Sequence, residues 1–305
     1  MQINCICSQM IIDTHAHINL HAFQDDAEAV LQRAFDNGIT VVNIGTEYPT
    51  SKQAVDMLAQ YPRGVYAVVG LHPSHTYDNP YLDENETAHV VGRQEFDVGA
   101  YRLLAQHERV VGIGECGLDY YRLSDADIQM HADLQRTTDV IKAQQKEAFG
   151  KQIALAVELD KALVIHCRPS KGSDDAYDDV LGIISNFQFP ISSEGNKILR
   201  FEVHSFTGSL EVAQKFLELG AYIGLNGIIS FDKTGNMEEV VKGVPLEQIV
   251  LETDSPYLAP VPFRGKRNEP AYIVEVAKKI AEWKSISLEE VTSATTQNAC
   301  KLFKL

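Results

Sequence analysis

The chain alternates between two patterns of apolar and polar positions. Short, continuous apolar runs rich in β-branched residues recur at 9–17, Thr40–Thr46, Val65–Pro73, Val110–Asp119, Ala162–Arg168, Ile198–Phe206, Tyr222–Ile229 and Ile249–Asp254. Between them, apolar residues return at three- and four-residue spacing. In Asp25–Asn37, for example, Ala27, Val30, Leu31, Ala34 and Phe35 fall on one helical face. The same spacing predicts helices at Ser51–Tyr61, Ala100–His107, Asp174–Ile184, Glu211–Leu219 and Met237–Val241, one or two across 125–158, and helix throughout 270–305. Gly38 and Gly220 stand where helix C-caps favour glycine.

Strand runs that do not alternate with polar residues suit parallel strands covered on both faces. Eight strand–helix units follow one another without a break in composition. They predict a closed (β/α)8 TIM barrel, a single domain over 1–305 with extra C-terminal helices. A doubly wound sheet would carry a glycine-rich phosphate loop after its first strand, and a histidine pair stands there instead. Residues 77–98 and roughly 170–200 read as surface insertions; the first is acidic and is broken by Pro80.

Composition narrows the function. A net charge of −15 repels polyanions overall, so any nucleic-acid binding must rest on a local cationic site, metal included. No run approaches the ~18 apolar residues of a membrane span. Met1–Met10 lack a basic n-region, and five scattered cysteines suit a reducing compartment. The expectation is a cytoplasmic monomer with no membrane contact.

The chemistry lies where the strand runs give out. His15 and His17 end the first run, followed by His72, Glu115, His166, His204, Asn226 and Asp254 at later run ends. Barrel active sites form at these C-terminal strand ends. Strands one and eight are neighbours in a closed barrel, so His15, His17 and Asp254 make one ligand set. His166 and His204, from adjacent strands, suit a second cation, and Glu115 can bridge the two. Two cations held this way activate water for displacement at phosphorus. Zn, Mn, Mg and Ni all remain open for such ligands.

These motifs resemble the TatD family of metal-dependent deoxyribonucleases, within the amidohydrolase-type barrels. The likeness runs through DTHAH at 13–17, GLHP at 70–73, GIGECGLDYY at 112–121, HCR at 166–168, HSFTG at 204–208, GLNG at 224–227, ETDSPYLAP at 252–260 and RGKRNEP at 264–270. The resemblance implies a TIM barrel, divalent-metal dependence and cleavage of single-stranded or frayed DNA, often 3′ to 5′ from an end. It implies the ligands His15, His17, Glu115, His166, His204 and Asp254, with Asp254 also orienting or deprotonating the hydrolytic water. Glu115 and Asp254 are therefore the expected catalytic carboxylates. His204-Ser205 stands where members often have His-Cys, a change expected to be neutral for the metal.

Other residues have two readings. His72 and Arg168 could contact a substrate phosphate, or be a hydrogen-bonded rim histidine and an ion-paired arginine. Cys116 and Cys167 adjoin ligands and should face away from them. Tyr120 and Tyr121 could stack on bases or simply pack, and Lys266 and Arg267 could attract phosphate or face solvent. Asn268 is a candidate cap for the terminal helix. The leading function is a two-metal deoxyribonuclease. The alternatives are a metal-dependent ester or amide hydrolase, such as an aminoacyl-tRNA deacylase, and a non-catalytic barrel scaffold.

Overall fold

A computed structural model describes residues 10–79, 81, 83–87, 92–123, 138–187 and 199–305. Its strands are β1 (Ile11–Ala16), β2 (Ile39–Ile44), β3 (Val65–Val69), β4 (Val110–Asp119), β5 (Ala162–Arg168), β6 (Phe201–Val203), β7 (Tyr222–Leu225) and β8 (Ile249–Leu251). They form one eight-stranded sheet in sequence order, every pair parallel. The ring closes just past β8, where Ala16 pairs with Ser255. There the Asp254 N–H donates to the His15 carbonyl at 2.8 Å, and the His17 N–H to the Ser255 carbonyl at 2.8 Å. The predicted barrel is the observed architecture.

The helices are α1 (Ala27–Asp36), α2 (Tyr48–Gln60), α3 (Val98–Ala105), α4 (Thr138–Leu159), α5 (Asp175–Asn186), α6 (Leu210–Glu218), α7 (Asn236–Gly243), α8 (Ile273–Lys284) and α9 (Leu288–Phe303). Gly38, with φ 70°, and Gly220, with φ 83°, stop α1 and α6 in the left-handed conformation that glycine adopts without a Cβ clash.

Buried apolar residues form two layers. The larger lies between strands and helices and includes Ile11, Val41, Val69, Ile165, Phe201 and Leu251. The smaller comprises strand residues such as Ile12, Val42, Val68, Val164 and Val250, packed against Ala299, Leu302 and Phe303 of α9. Strand alternation then puts the polar partners of this inner layer two residues on: Glu252 after Val250 and His166 after Val164. The barrel interior is apolar at the α9 end and polar at the strand C-termini.

The helical stretch expected over 270–305 divides into two helices. A 3-10 turn at Pro270–Tyr272 precedes α8, Ser285 breaks the run at φ 55°, and a capping box between Ser287 and Glu290 starts α9. The reversal brings Phe303 to the inner strand layer, a tertiary demand that helical periodicity does not encode. Asn268 is no helix cap. It is buried, donates to the Thr253 and Tyr257 carbonyls at 2.8 and 2.7 Å, and so pins the loop after β8.

Part of the expected 77–98 insertion is anchored at the rim: the His21 and Ala22 N–H groups donate to the Glu86 and Asn85 carbonyls at 3.3 and 2.8 Å. The first part of the predicted helical stretch, 125–137, and residues 188–198 of the expected 170–200 insertion lie outside the described residues, as do Cys5 and Cys7. No helix among the described residues is long and apolar enough to cross a membrane.

Candidate metal centre

The sequence-predicted ligands converge at the barrel mouth. From β1, the His15 and His17 Nε2 atoms lie 3.1 Å apart. Glu115 Oε2, from β4, is 3.3 Å from His15 Nε2 and 3.7 Å from His17 Nε2. Asp254 Oδ1, past β8, is 3.9 and 3.5 Å from the same two nitrogens. In a tetrahedral site with ~2.1 Å metal–ligand bonds, neighbouring donor atoms lie about 3.4 Å apart. The five separations bracket that value.

The tautomers agree. His17 Nδ1 sits 3.0 Å from the Ile44 carbonyl, an acceptor only, so Nδ1 carries the proton and neutral His17 presents a lone pair at Nε2. Asp254 holds its carboxylate in place from the left-handed region, at φ 57°, a conformation that Asp tolerates better than most residues.

The other Glu115 oxygen faces a second group of imidazoles. Oε1 lies 2.8 Å from His166 Nδ1, 3.0 Å from His204 Nε2 and 3.4 Å from His72 Nε2. His72, expected as a phosphate contact, thus lies beside the cluster and lines the same cavity. Its Nδ1 is 2.7 Å from the Ser74 hydroxyl. His166 turns its Nε2 to Asp119 Oδ2 at 3.0 Å. A carboxylate on the far nitrogen is the usual way to orient a ligating histidine.

Protonation tendencies describe the same electrostatics. Burial works to raise the Glu115 and Asp254 pKa values, yet neighbouring histidines hold both below the usual carboxylate range. Burial also works against protonated His17, His166 and His204, but hydrogen bonds and charge from Asp254, Asp119, Glu115 and Glu252 overcome it and raise all three. Burial and the charge of His204 lower His15, and burial and His166 lower His72. Carboxylates that draw protons to these nitrogens draw any cation there. The donor set fits hard-to-borderline divalent ions, with Glu115 offering one oxygen to each group.

The centre opens into a cavity of about 1000 Å³. On one wall, the Arg168 guanidinium lies 3.9 Å from the centroid of the Tyr121 ring, with Lys171 Nζ at 5.0 Å. The 81–87 segment contributes Asp83, Glu84 and Glu86. Tyr120 is a packing residue: it is buried, hydrogen-bonds Asp179 at 2.9 Å and lies under Lys142. Cys116 is buried, with its Sγ 3.6 Å from the Val164 carbonyl, while Cys167 is buried at the edge of the cavity. Arg267 is bound to Asp26 through two hydrogen bonds of 2.9 and 2.6 Å, and is spent structurally. Asn226 supports the loop after β6, donating to the Ser205 hydroxyl at 2.8 Å.

Sequence reading missed Glu252 as part of the site and did not pair Asp119 with His166. Both carried a signal in the sequence, since Glu252 falls in the apolar run that Asp254 ends and Asp119 ends the run that holds Glu115.

Comparison with known proteins places this geometry in a family. The family model for TatD-related DNases matches residues 12–304. The uncharacterised metal-dependent hydrolase YabD of Bacillus subtilis is 37% identical over 298 residues, covering 97% of this chain and all of that one. The 3′-5′ ssDNA/RNA exonuclease TatD of Klebsiella pneumoniae is 29% identical, covering 96% of this chain and 97% of the relative. Among solved structures, YJJV, a TatD homologue from Escherichia coli K12, superposes with a TM-score of 0.75 at 26% identity, covering 97% and 98% of the two chains. The chain belongs to the TatD-related DNase family and is a metal-dependent hydrolase.

Proposed function

We propose that this enzyme hydrolyses phosphodiester bonds at an end of single-stranded DNA, and of RNA, releasing nucleotides in the 3′ to 5′ direction. The observation that carries the reading is the divided carboxylate of Glu115, whose Oε2 faces His15 and His17 and whose Oε1 faces His166 and His204. His15, His17 and Asp254 would hold one divalent cation and His166 and His204 a second, with Glu115 shared and His72 beside the second position. Such cations supply Lewis acidity toward the phosphoryl oxygens and make water a stronger acid.

The protein's own groups do the rest. Asp254 is held ionised in a buried mouth, and is the base that takes a proton from the attacking water. Arg168 lies over the Tyr121 ring, a cation–π contact that limits its rotamers, so its guanidinium can bind a backbone phosphate with less loss of side-chain freedom. The opposing acidic segment repels a continuing polyanion, which favours a chain end over an internal site. The nuclease name of the Klebsiella relative supports the same substrate class.

The test is hydrolysis of single-stranded oligonucleotides labelled at either end, by chelator-stripped enzyme resupplied with Mn²⁺, Mg²⁺ or Zn²⁺. A metal-dependent ladder that shortens first from the 3′ end is expected, lost in Glu115→Gln and Asp254→Asn. Metal uptake without nucleolysis would move the assignment to carboxylic ester or amide substrates.

A further inference from the structure

Glu252 lies in the barrel interior, fully buried, two residues before Asp254. Its Oε1 accepts from the Ser205 N–H at 2.6 Å and the Asn226 amide at 3.2 Å, and lies 3.6 Å from His204 Nδ1. The imidazole of His204 stacks on that of His15 with centroids 3.8 Å apart and planes 14° from parallel. Both rings turn Nε2 toward Glu115. The Nδ1 atoms of both are buried without a hydrogen-bond partner, as is Glu252 Oε2. Donor atoms of His15, His204 and Glu252 lie within 4.8 Å of one another. The stacked pair thus lies between two carboxylates, Glu115 facing both Nε2 atoms and Glu252 facing Nδ1 of His204.

We propose that Glu252 is a positioning residue that holds His204 as its Nδ1–H tautomer, so that the Nε2 lone pair faces the metal centre, and that steadies His15 through the ring stacked on His204. The inference rests on reading His15 and His204 as ligands. A ~0.6 Å approach, within reach of a small ring tilt, turns the 3.6 Å contact to His204 into an ordinary N–H···O bond. Two further observations separate this role from simple packing. The site keeps a carboxylate where stability alone argues against one, because Glu202, also fully buried, adds a second acid to the same interior. The backbone also makes room for it: a Cβ on Gly224 would come within 2.5 Å of Glu252 Oε2.

The experiment compares wild type with Glu252→Gln, which keeps shape and removes charge. Three quantities are read: Mn²⁺ affinity by calorimetry, thermal stability of the metal-free protein, and the imidazole ¹⁵N spectrum. The expected result is a 10–100-fold loss of Mn²⁺ affinity, with the metal-free Tm unchanged or raised. In the wild-type spectrum His204 should be protonated at Nδ1, a preference weakened in the variant. Equal Mn²⁺ affinity in the two proteins, or an Nε2–H tautomer of His204 in wild type, would overturn the proposal while leaving the ligand reading intact. A Tm that falls in step with affinity, with unchanged tautomers, would reduce Glu252 to a packing residue. Wild type that takes up no Mn²⁺ would sink the ligand reading and this inference with it.

Discussion

The Tyr257 hydroxyl donates to Asp83 Oδ2 at 2.7 Å, joining the loop that follows the Asp254 segment to the acidic stretch at the cavity rim. The two residues are 174 positions apart in sequence. The acidic segment is therefore part of the mouth of the site. Its charge should act on substrate entry. Neutralising it in Asp83→Asn/Glu84→Gln is expected to lower KM for a long oligonucleotide by roughly 3–10-fold at low salt, with little effect on a dinucleotide. The difference should shrink as ionic strength rises. An unchanged KM across salt would show that the segment does not sense the substrate.

Arg168 and Asp254 should separate in kinetics. Arg168→Ala is expected to raise oligonucleotide KM by about 5–100-fold, as loss of a charge-assisted phosphate contact does, while kcat moves little. The salt dependence of binding should fall by about one phosphate contact. Arg168→Lys should recover only part of the loss, because an ammonium cannot stack flat on Tyr121.

Asp254→Asn removes the proposed base and should cost roughly 10²–10⁴ in kcat. Metal titration followed by steady-state kinetics checks whether the cations are retained. Glu115→Gln should differ by weakening uptake of both equivalents, since one carboxylate faces both imidazole groups. Loss of one equivalent alone would argue against the shared role.

Removing metal should destabilise the wild-type protein. At a metal concentration near 100 times Kd, binding stabilises the folded state by about 2.7 kcal/mol. That corresponds to a Tm drop of several degrees on chelation. In the Glu115→Gln variant the drop should nearly vanish. Differential scanning calorimetry with and without chelator measures both.

His75 and Glu86, 2.8 Å apart, clamp the acidic segment to the turn after β3. Burial works to raise Glu86, but its bonds and charge contacts with His75, together with Thr46, bring it down to about 2. Burial works to lower His75, and Glu86 overcomes it and raises the histidine above its ordinary value. The Glu86 contribution is therefore complete above its ordinary pKa of 4.5 and is lost as pH falls toward 2. That of His75 is complete below 6.5 and is lost as pH rises through its higher folded value. The stability difference between wild type and Glu86→Gln in urea should peak between about pH 4.5 and 6.5. A flat difference from pH 4 to 9 would rule out the ion pair.

How much was legible follows from what each signal depends on. Glu115, His166 and His204 could be placed because strand alternation and the strand-end rule are local, and each residue ends its own apolar run. Asp254 and His15 could be joined because closure of an eight-stranded barrel makes the first and last strands neighbours. The position of His72 at a strand end is legible, but only folded geometry brings its Nε2 3.4 Å from Glu115. Arg267 looked available in sequence and is held by Asp26, 241 residues away.

The sequence by itself determined the element order, the barrel, and the ring of histidines and carboxylates at its mouth, because periodicity and position in a strand are properties of neighbouring residues. Tertiary structure alone decided which oxygen of Glu115 faces which imidazoles, that Glu252 lies beside Nδ1 of His204, and that an acidic segment is tied to the cavity rim through Tyr257. Those contacts join side chains from separate strands and loops, and their distances exist only once the barrel closes.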